Sequence, residues 1–126
     1  MKVSVIVPFR EANRKVMRCL ESIKNQDYKN LEAIVVSDRT ELKNPGVVSI
    51  LNSECKGPGA KRNLGARHAQ GDILFFLDSD CILKRDSISK LINIFHAREV
   101  DAVTGKPLAY EKSNLLGFIT GLEYED

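Results

Sequence analysis

The chain has 126 residues, 43% hydrophobic and 29% charged, with a net charge of +2, a composition that supports one domain with its own core and excludes a disordered segment. The scattered basic residues give no electrostatic case for a nucleic-acid binder. Three widely spaced cysteines, Cys19, Cys55 and Cys81, suit free thiols in a reducing compartment, and no apolar run is long enough for a signal peptide or membrane span, so the expected location is cytoplasmic.

Short apolar runs alternate with segments of helical period, the pattern of an α/β protein with a mainly parallel sheet. Val3 to Val7 reads as a first strand, halted by Pro8. Val16, Met17, Leu20 and Ile23 then fall at helical spacing between Arg14 and Asn25, with Asn13 as N-cap. Leu31 to Val36 is a second strand, "SDRTELKNPG" a loop and Val47 to Leu51 a short third strand. In "GPGAKRNLGARHAQG" glycines and a proline open a helix that ends near Gly71. Ile73 to Leu77 is a fourth strand, whose unbroken apolar run predicts a central position in the sheet. Asp86 is placed to cap a helix with Ile88, Leu91, Ile92 and Phe95 on one face. Ala102 to Gly105 reads as one more strand and Leu115 to Tyr124 as a final helix or loop. There is no repeat or linker, so residues 1–126 read as a single domain.

Parallel strands share one carboxyl edge, and open α/β sheets bind ligands outside it. The first strand leads into "VPFRE", the second ends at Ser37 and Asp38, and the fourth at Asp78 and Asp80. Carboxylates so close to buried strands need partners or water. On an extended segment Asp78 and Asp80 point the same way, and two hard oxygen ligands beside open water suit Mg²⁺ or Mn²⁺. Solvated turns also carry such pairs; the position after a buried strand favours the metal reading. The segment "GPGAKRNLGARHA" is neither a Walker motif nor a dinucleotide fingerprint. It leaves a helix N-terminus with Lys61 and Arg62 in the first turns, either meeting a diphosphate or simply solvated. Cys81, His68 and His96 read as structural residues, and Phe9, Tyr28 and the Ile88 to Phe95 stripe as packing.

The order of these motifs, "VSVIVPFREANRKVMRCLESIKNQDY", "LEAIVVSD" and "GPGAKRNLGARHAQGDILFFLDSD", resembles the inverting nucleotide-sugar glycosyltransferases of family 2. That family has the GT-A fold and includes bacterial polysaccharide synthases and dolichyl-phosphate sugar synthases. The resemblance runs from about Val3 to about Gly105. It implies a Rossmann-like, mainly parallel sheet with flanking helices, here the nucleotide-binding half. By position, Pro8 and Glu11 match the turn that lines base and ribose, although Arg10 stands where the family has Asn. Asp38 matches the acid that hydrogen-bonds the base, commonly uracil, although "SDRTEL" departs from the usual Asp-Gly-Ser. Arg62 matches the basic residue that approaches the donor nucleotide. Asp78 and Asp80 match Asp-x-Asp, the first near the ribose and the second, with Asp78 beside it, holding Mg²⁺ or Mn²⁺ on the donor diphosphate.

The implied activity is inverting transfer from a nucleoside-diphosphate sugar, by lean a UDP-sugar, to an acceptor hydroxyl on a saccharide or lipid-linked molecule. The general base is expected downstream in an acceptor-binding part beyond this chain; Glu125 and Asp126 look like the family's Glu-Asp pair but arrive too early. The segment "VTGKPLAYEKSNLLGFITGLEYE" resembles the joint between donor and acceptor halves in membrane-bound members, so membrane association, at the cytoplasmic face, is expected only through further sequence. The alternative function is a non-catalytic nucleotide-sugar-binding module. A nucleotidyltransferase would need a Gly-rich loop after the first strand, and a receiver domain an acid pair where only Glu11 stands.

Overall fold

The computed structural model describes residues 1–54, 56–109 and 118–121, with residues 106–109 and 118–121 described by backbone alone. Strands β1 (Val3–Phe9), β2 (Leu31–Ser37), β3 (Val47–Leu51) and β4 (Ile73–Phe76) form a parallel sheet in the order β3-β2-β1-β4. Helices α1 (Arg14–Lys24), α2 (Gly57–His68) and α3 (Ser87–Ala97) complete the α/β architecture. A second sheet holds β5 (Cys81–Leu83), β6 (Lys106–Ala109) and β7 (Phe118–Gly121) in the order β5-β7-β6. Its β5–β7 pair is parallel and its β6–β7 pair antiparallel.

The pleat divides the core. Val3, Val5, Val7 and Phe9 of β1 face α1 and α3, meeting Val16, Leu20, Ile88 and Leu91. Ile6, Ile34 and Val36 point to the other side, where Leu64 and Ala66 of α2 cover them. Each such side chain contributes about 1.5–3 kcal/mol on burial, which is why two-sided apolar runs become the interior strands β1 and β2.

Four expectations need correction. Pro8 does not halt β1: pairing with β2 continues to Phe9↔Ser37, while β4 pairs only as far as Ile6↔Phe76. The missing N–H of Pro8 therefore lies beyond the end of one neighbour. The apolar fourth strand is not central, because among the described residues β4 pairs with β1 alone and forms the edge of the four-stranded sheet. Leu74 and Phe76 accordingly remain 42% and 48% exposed. Residues 102–105 are unpaired, and the strand begins at Lys106. Phe118–Gly121 is a strand, where a helix or loop was expected; the rest of the 115–124 segment, Glu125, Asp126 and Cys55 lie outside the described residues.

Helix starts show where local signals hold. Val16 N donates to Asn13 Oδ1 at 3.0 Å, the expected N-cap of α1. Asp86 sits at the N-cap of α3 without a side-chain cap bond, and its carboxylate instead meets Lys90 Nζ at 3.2 Å. The cap is supplied from afar: Ile88 N donates to Oε1 of the fully buried Gln26 at 3.0 Å, while Gln26 Nε2 donates to Ser22 O and Lys84 O at 3.1 and 2.6 Å. No helix among the described residues is long and apolar enough to cross a membrane.

Candidate functional site

The carboxyl ends of β1, β2 and β3 are level, with Phe9 opposite Ser37 and Ser37 opposite Leu51. Buried Ser37 organises the loops that follow. Its Oγ donates to Arg10 O at 2.8 Å and accepts from Arg39 N at 3.2 Å and Thr40 N at 2.9 Å, a hydroxyl-anchored turn. Ala12 N donates to Thr40 Oγ1 at 3.0 Å and Arg39 N to Arg10 O at 3.0 Å, stitching the β1 and β2 loops together. Asp38, between these anchored residues, is thereby held at the rim. Glu11 and Arg39 approach to 3.8 Å across the same loops, but both are exposed and such a pair adds little stability.

Helix α2 lies against the other loop-bearing side of the rim. At Gly65 an added Cβ would stand 2.6 Å from Ile6 Cγ2 and 3.3 Å from Val36 Cγ2, so the absence of a side chain lets the helix approach the sheet. Lys61, one turn earlier on the same face, is 4% exposed and carries its Nζ to 3.2 Å from Asp38 Oδ1. Burial pushes the Asp38 carboxyl upward in pKa; Lys61, with smaller help from its own backbone and Arg10, outweighs this and holds it below its ordinary value. The next residue along the helix points elsewhere: Arg62 Nη2 donates to Asp78 Oδ1 at 2.7 Å.

Asp78 and Asp80 converge by a turn rather than by the alternation of an extended strand. β4 ends at Phe76, and Cys81 N donates back to Asp78 O at 3.0 Å. Ligand atoms of Asp78, Asp80 and Cys81 all fall within 4.8 Å of one another. Asp78 is exposed, with one oxygen engaged by Arg62, and Asp80 is partly exposed, with one oxygen against Cys81 Sγ. Two hard oxygens with open water beside them fit a Mg²⁺- or Mn²⁺-like ion that keeps part of its hydration; the buried thiol is the less suitable donor. Cys81 Sγ donates weakly to Asp80 Oδ1 and Cys19 Sγ to Asp78 O, both at 3.7 Å. Burial first, then the charges of Cys81, Asp80 and Asp78, push the Cys19 thiol far up in pKa, leaving it a packing group.

The family profile described as Glycosyl transferase family 2 matches residues 4–120. The chain belongs to this family. Glycosyltransferase GlyG of Streptococcus pneumoniae serotype 4 is 29% identical over 97% of this chain and 45% of its own length. The Escherichia coli protein WfaP, named a UDP-Glc:alpha-D-GlcNAc-diphosphoundecaprenol beta-1,3-glucosyltransferase, is 29% identical over 78% of this chain and 43% of its own. S. aureus TarS 1–349, solved in complex with UDP-GlcNAc, superposes with a TM-score of 0.64 at 27% identity, over 77% of this chain and 32% of that one. The chain thus spans less than half the length of these relatives, and the GT-A-like parallel sheet is common to it and TarS.

In this glycosyl transferase family 2 chain the sequence-predicted residues separate into two groups. Asp38, Arg62, Asp78 and Asp80 gather at the carboxyl edge, the first against Lys61 and the second against Asp78. Pro8 is buried within β1, and Glu11 stands exposed in the loop beyond it with Arg39 as partner. Sequence reasoning missed Ser37 as the anchor of the rim, and the solvated alternative for Lys61 fails, because its side chain is buried against Asp38. A signal for Lys61 existed, because Gly65 lies four residues later on a helix face that must touch the sheet.

Proposed function

We propose that the rim formed by Asp38, Arg62, Asp78 and Asp80 binds the nucleoside-diphosphate sugar donor of an inverting glycosyltransferase, with a UDP-sugar as donor. The observation that carries this reading is the placement of Asp38 and of the Asp78–Asp80 pair, with Arg62 against Asp78, at one carboxyl edge of the sheet. Uridine is favoured because WfaP is named for UDP-Glc and TarS was solved with UDP-GlcNAc. Asp38, kept ionised, accepts an N–H from the base. Arg62 offsets the charge of Asp78, so that an anionic diphosphate meets a rim that is not doubly negative. Asp80, with Asp78, holds the divalent cation, which when bound offsets the charge that develops on the departing diphosphate.

In the transfer, the acceptor oxygen bonds to the anomeric carbon on the face opposite the nucleoside diphosphate as the carbon–oxygen bond to that group breaks, which inverts the centre. The hydroxyl proton passes to a carboxylate base that is assigned to no residue of this chain. The acceptor is a saccharide or lipid-linked hydroxyl. The test is calorimetric titration with UDP and GDP, each with Mn²⁺ and with excess chelator, on the wild-type chain and on Asp80→Ala. Metal-dependent binding of UDP that disappears in a folded Asp80→Ala variant is expected. Affinity indifferent to chelator and to this substitution would reject the assignment.

A further inference from the structure

Lys61 is an unusual presence beneath a nucleotide site. Its side chain is 5% exposed, and among the described residues its ammonium meets one partner, Asp38 Oδ1, at 3.2 Å. An ammonium carries three donors, and among the described residues the Asp38 ion pair engages no more than one of them. Asp38 Oδ1 is itself fully buried and accepts no well-aligned hydrogen bond, so the charge of Lys61 is what balances it. This leaves Oδ2 as the Asp38 oxygen available to a ligand. The anchored loop of Ser37, Arg39 and Thr40 fixes the backbone on either side of Asp38.

We propose that Lys61 is a specificity-determining residue of the donor site, presenting an ammonium donor beside the Asp38 acceptor and so selecting bases with adjacent N–H and C=O groups. This inference rests on the donor-site reading above. Uracil (N3–H beside its carbonyls) and guanine (N1–H beside O6) present that edge. Cytosine and adenine present the reverse, a ring-nitrogen acceptor beside an amino donor, and would set donor against donor and acceptor against acceptor. Lys61 acts twice: it pins one Asp38 oxygen so that the other is aimed outward, and it supplies the second half of the pattern. Discrimination is sharp at such a site because the wrong base leaves a buried charge unpaired.

The experiment measures dissociation constants for UDP, GDP, CDP and ADP in Mn²⁺, with inorganic pyrophosphate as the base-less probe, on wild type, Lys61→Met and the double variant Asp38→Asn/Lys61→Met. Lys61→Met keeps the length of the stem but strands Asp38. The double variant removes both charges and guards against a simple failure to fold, which circular dichroism reports. Wild type is expected to prefer UDP or GDP over CDP and ADP. In either variant that preference should shrink by about 10- to 100-fold, the worth of one charged hydrogen bond, with the loss falling on the favoured nucleotide more than on pyrophosphate. A folded variant that retains the wild-type UDP-to-CDP ratio overturns the role of Lys61 while leaving the donor site standing. A wild-type chain that binds none of the nucleotides overturns both.

Discussion

Replacing Gly65 with alanine tests the seating of α2 on which the rim depends. The new Cβ would lie 2.6 Å from Ile6 Cγ2, and Ile6 is fully buried in β1 with a β-branched side chain that has little freedom to rotate aside. Overpacking of this kind costs about 1–3 kcal/mol. Against it stands the gain from replacing a helical glycine, about 1 kcal/mol, so the net expectation is a loss of up to about 2 kcal/mol. Gly59, near the start of the same helix, has no heavy atom within 4 Å of an added Cβ, and Gly59→Ala should keep the helix gain of about 0.5–1 kcal/mol without the clash. Urea unfolding of the two variants beside wild type separates the effects. With a slope of about 1–3 kcal/mol per molar, the midpoints should differ by roughly 1 M, Gly65→Ala the lower. The same displacement lifts Lys61 from Asp38, so UDP affinity should fall in Gly65→Ala. Equal upward shifts of both midpoints would mean that α2 does not rest on Ile6.

Three other substitutions probe separate links. Gln26→Leu removes the amide that joins α1 to the N-terminus of α3. It orphans Ile88 N and takes the Gln26 donor from Ser22 O and Lys84 O, the latter keeping Ser87 N at 3.1 Å. A loss of about 2 kcal/mol is expected, and an unchanged urea midpoint would refute it. Arg62→Ala frees an Asp78 side chain that is 63% exposed, so stability should move by less than about 1 kcal/mol. UDP affinity should nevertheless fall about tenfold, a split that calorimetry and a urea melt together can deny. Glu32 gives a pH signature. Burial pushes its carboxyl up, but the Ser4 hydroxyl at 2.6 Å, the Gln70 N–H at 2.7 Å and Lys2 bring it below the ordinary 4.5. Its contribution is therefore complete above that unfolded value and is lost as pH falls through the lower folded one. Across acid pH the stability of Glu32→Gln should decline less steeply than that of wild type; parallel profiles would count against this role.

Much of the rim is legible in the order of the residues. β-Branched runs, glycine and proline breaks and helical stripes specify the alternation of strands and helices, because they report how each short segment is buried by its own period. The acids at the ends of those runs follow from the common direction of parallel strands. Asn13 as an N-cap is readable for the same reason, its hydrogen bond closing within three residues. The apolar run of β4 misleads, because residue type reports tolerance for burial and not which neighbours arrive to provide it; here β1 alone pairs with that strand among the described residues.

Residue type and local spacing thus determined the kinds of element, their order and the presence of carboxylates at the strand ends. The tertiary structure decided which side chains meet. Gln26 caps a helix 62 residues away, Lys61 enters the sheet edge beside Asp38 because Gly65 lets α2 descend onto Ile6, and a backbone turn brings Asp78 and Asp80 together. Such contacts depend on the register of strands and the depth at which a helix docks, quantities fixed only when distant segments pack against one another.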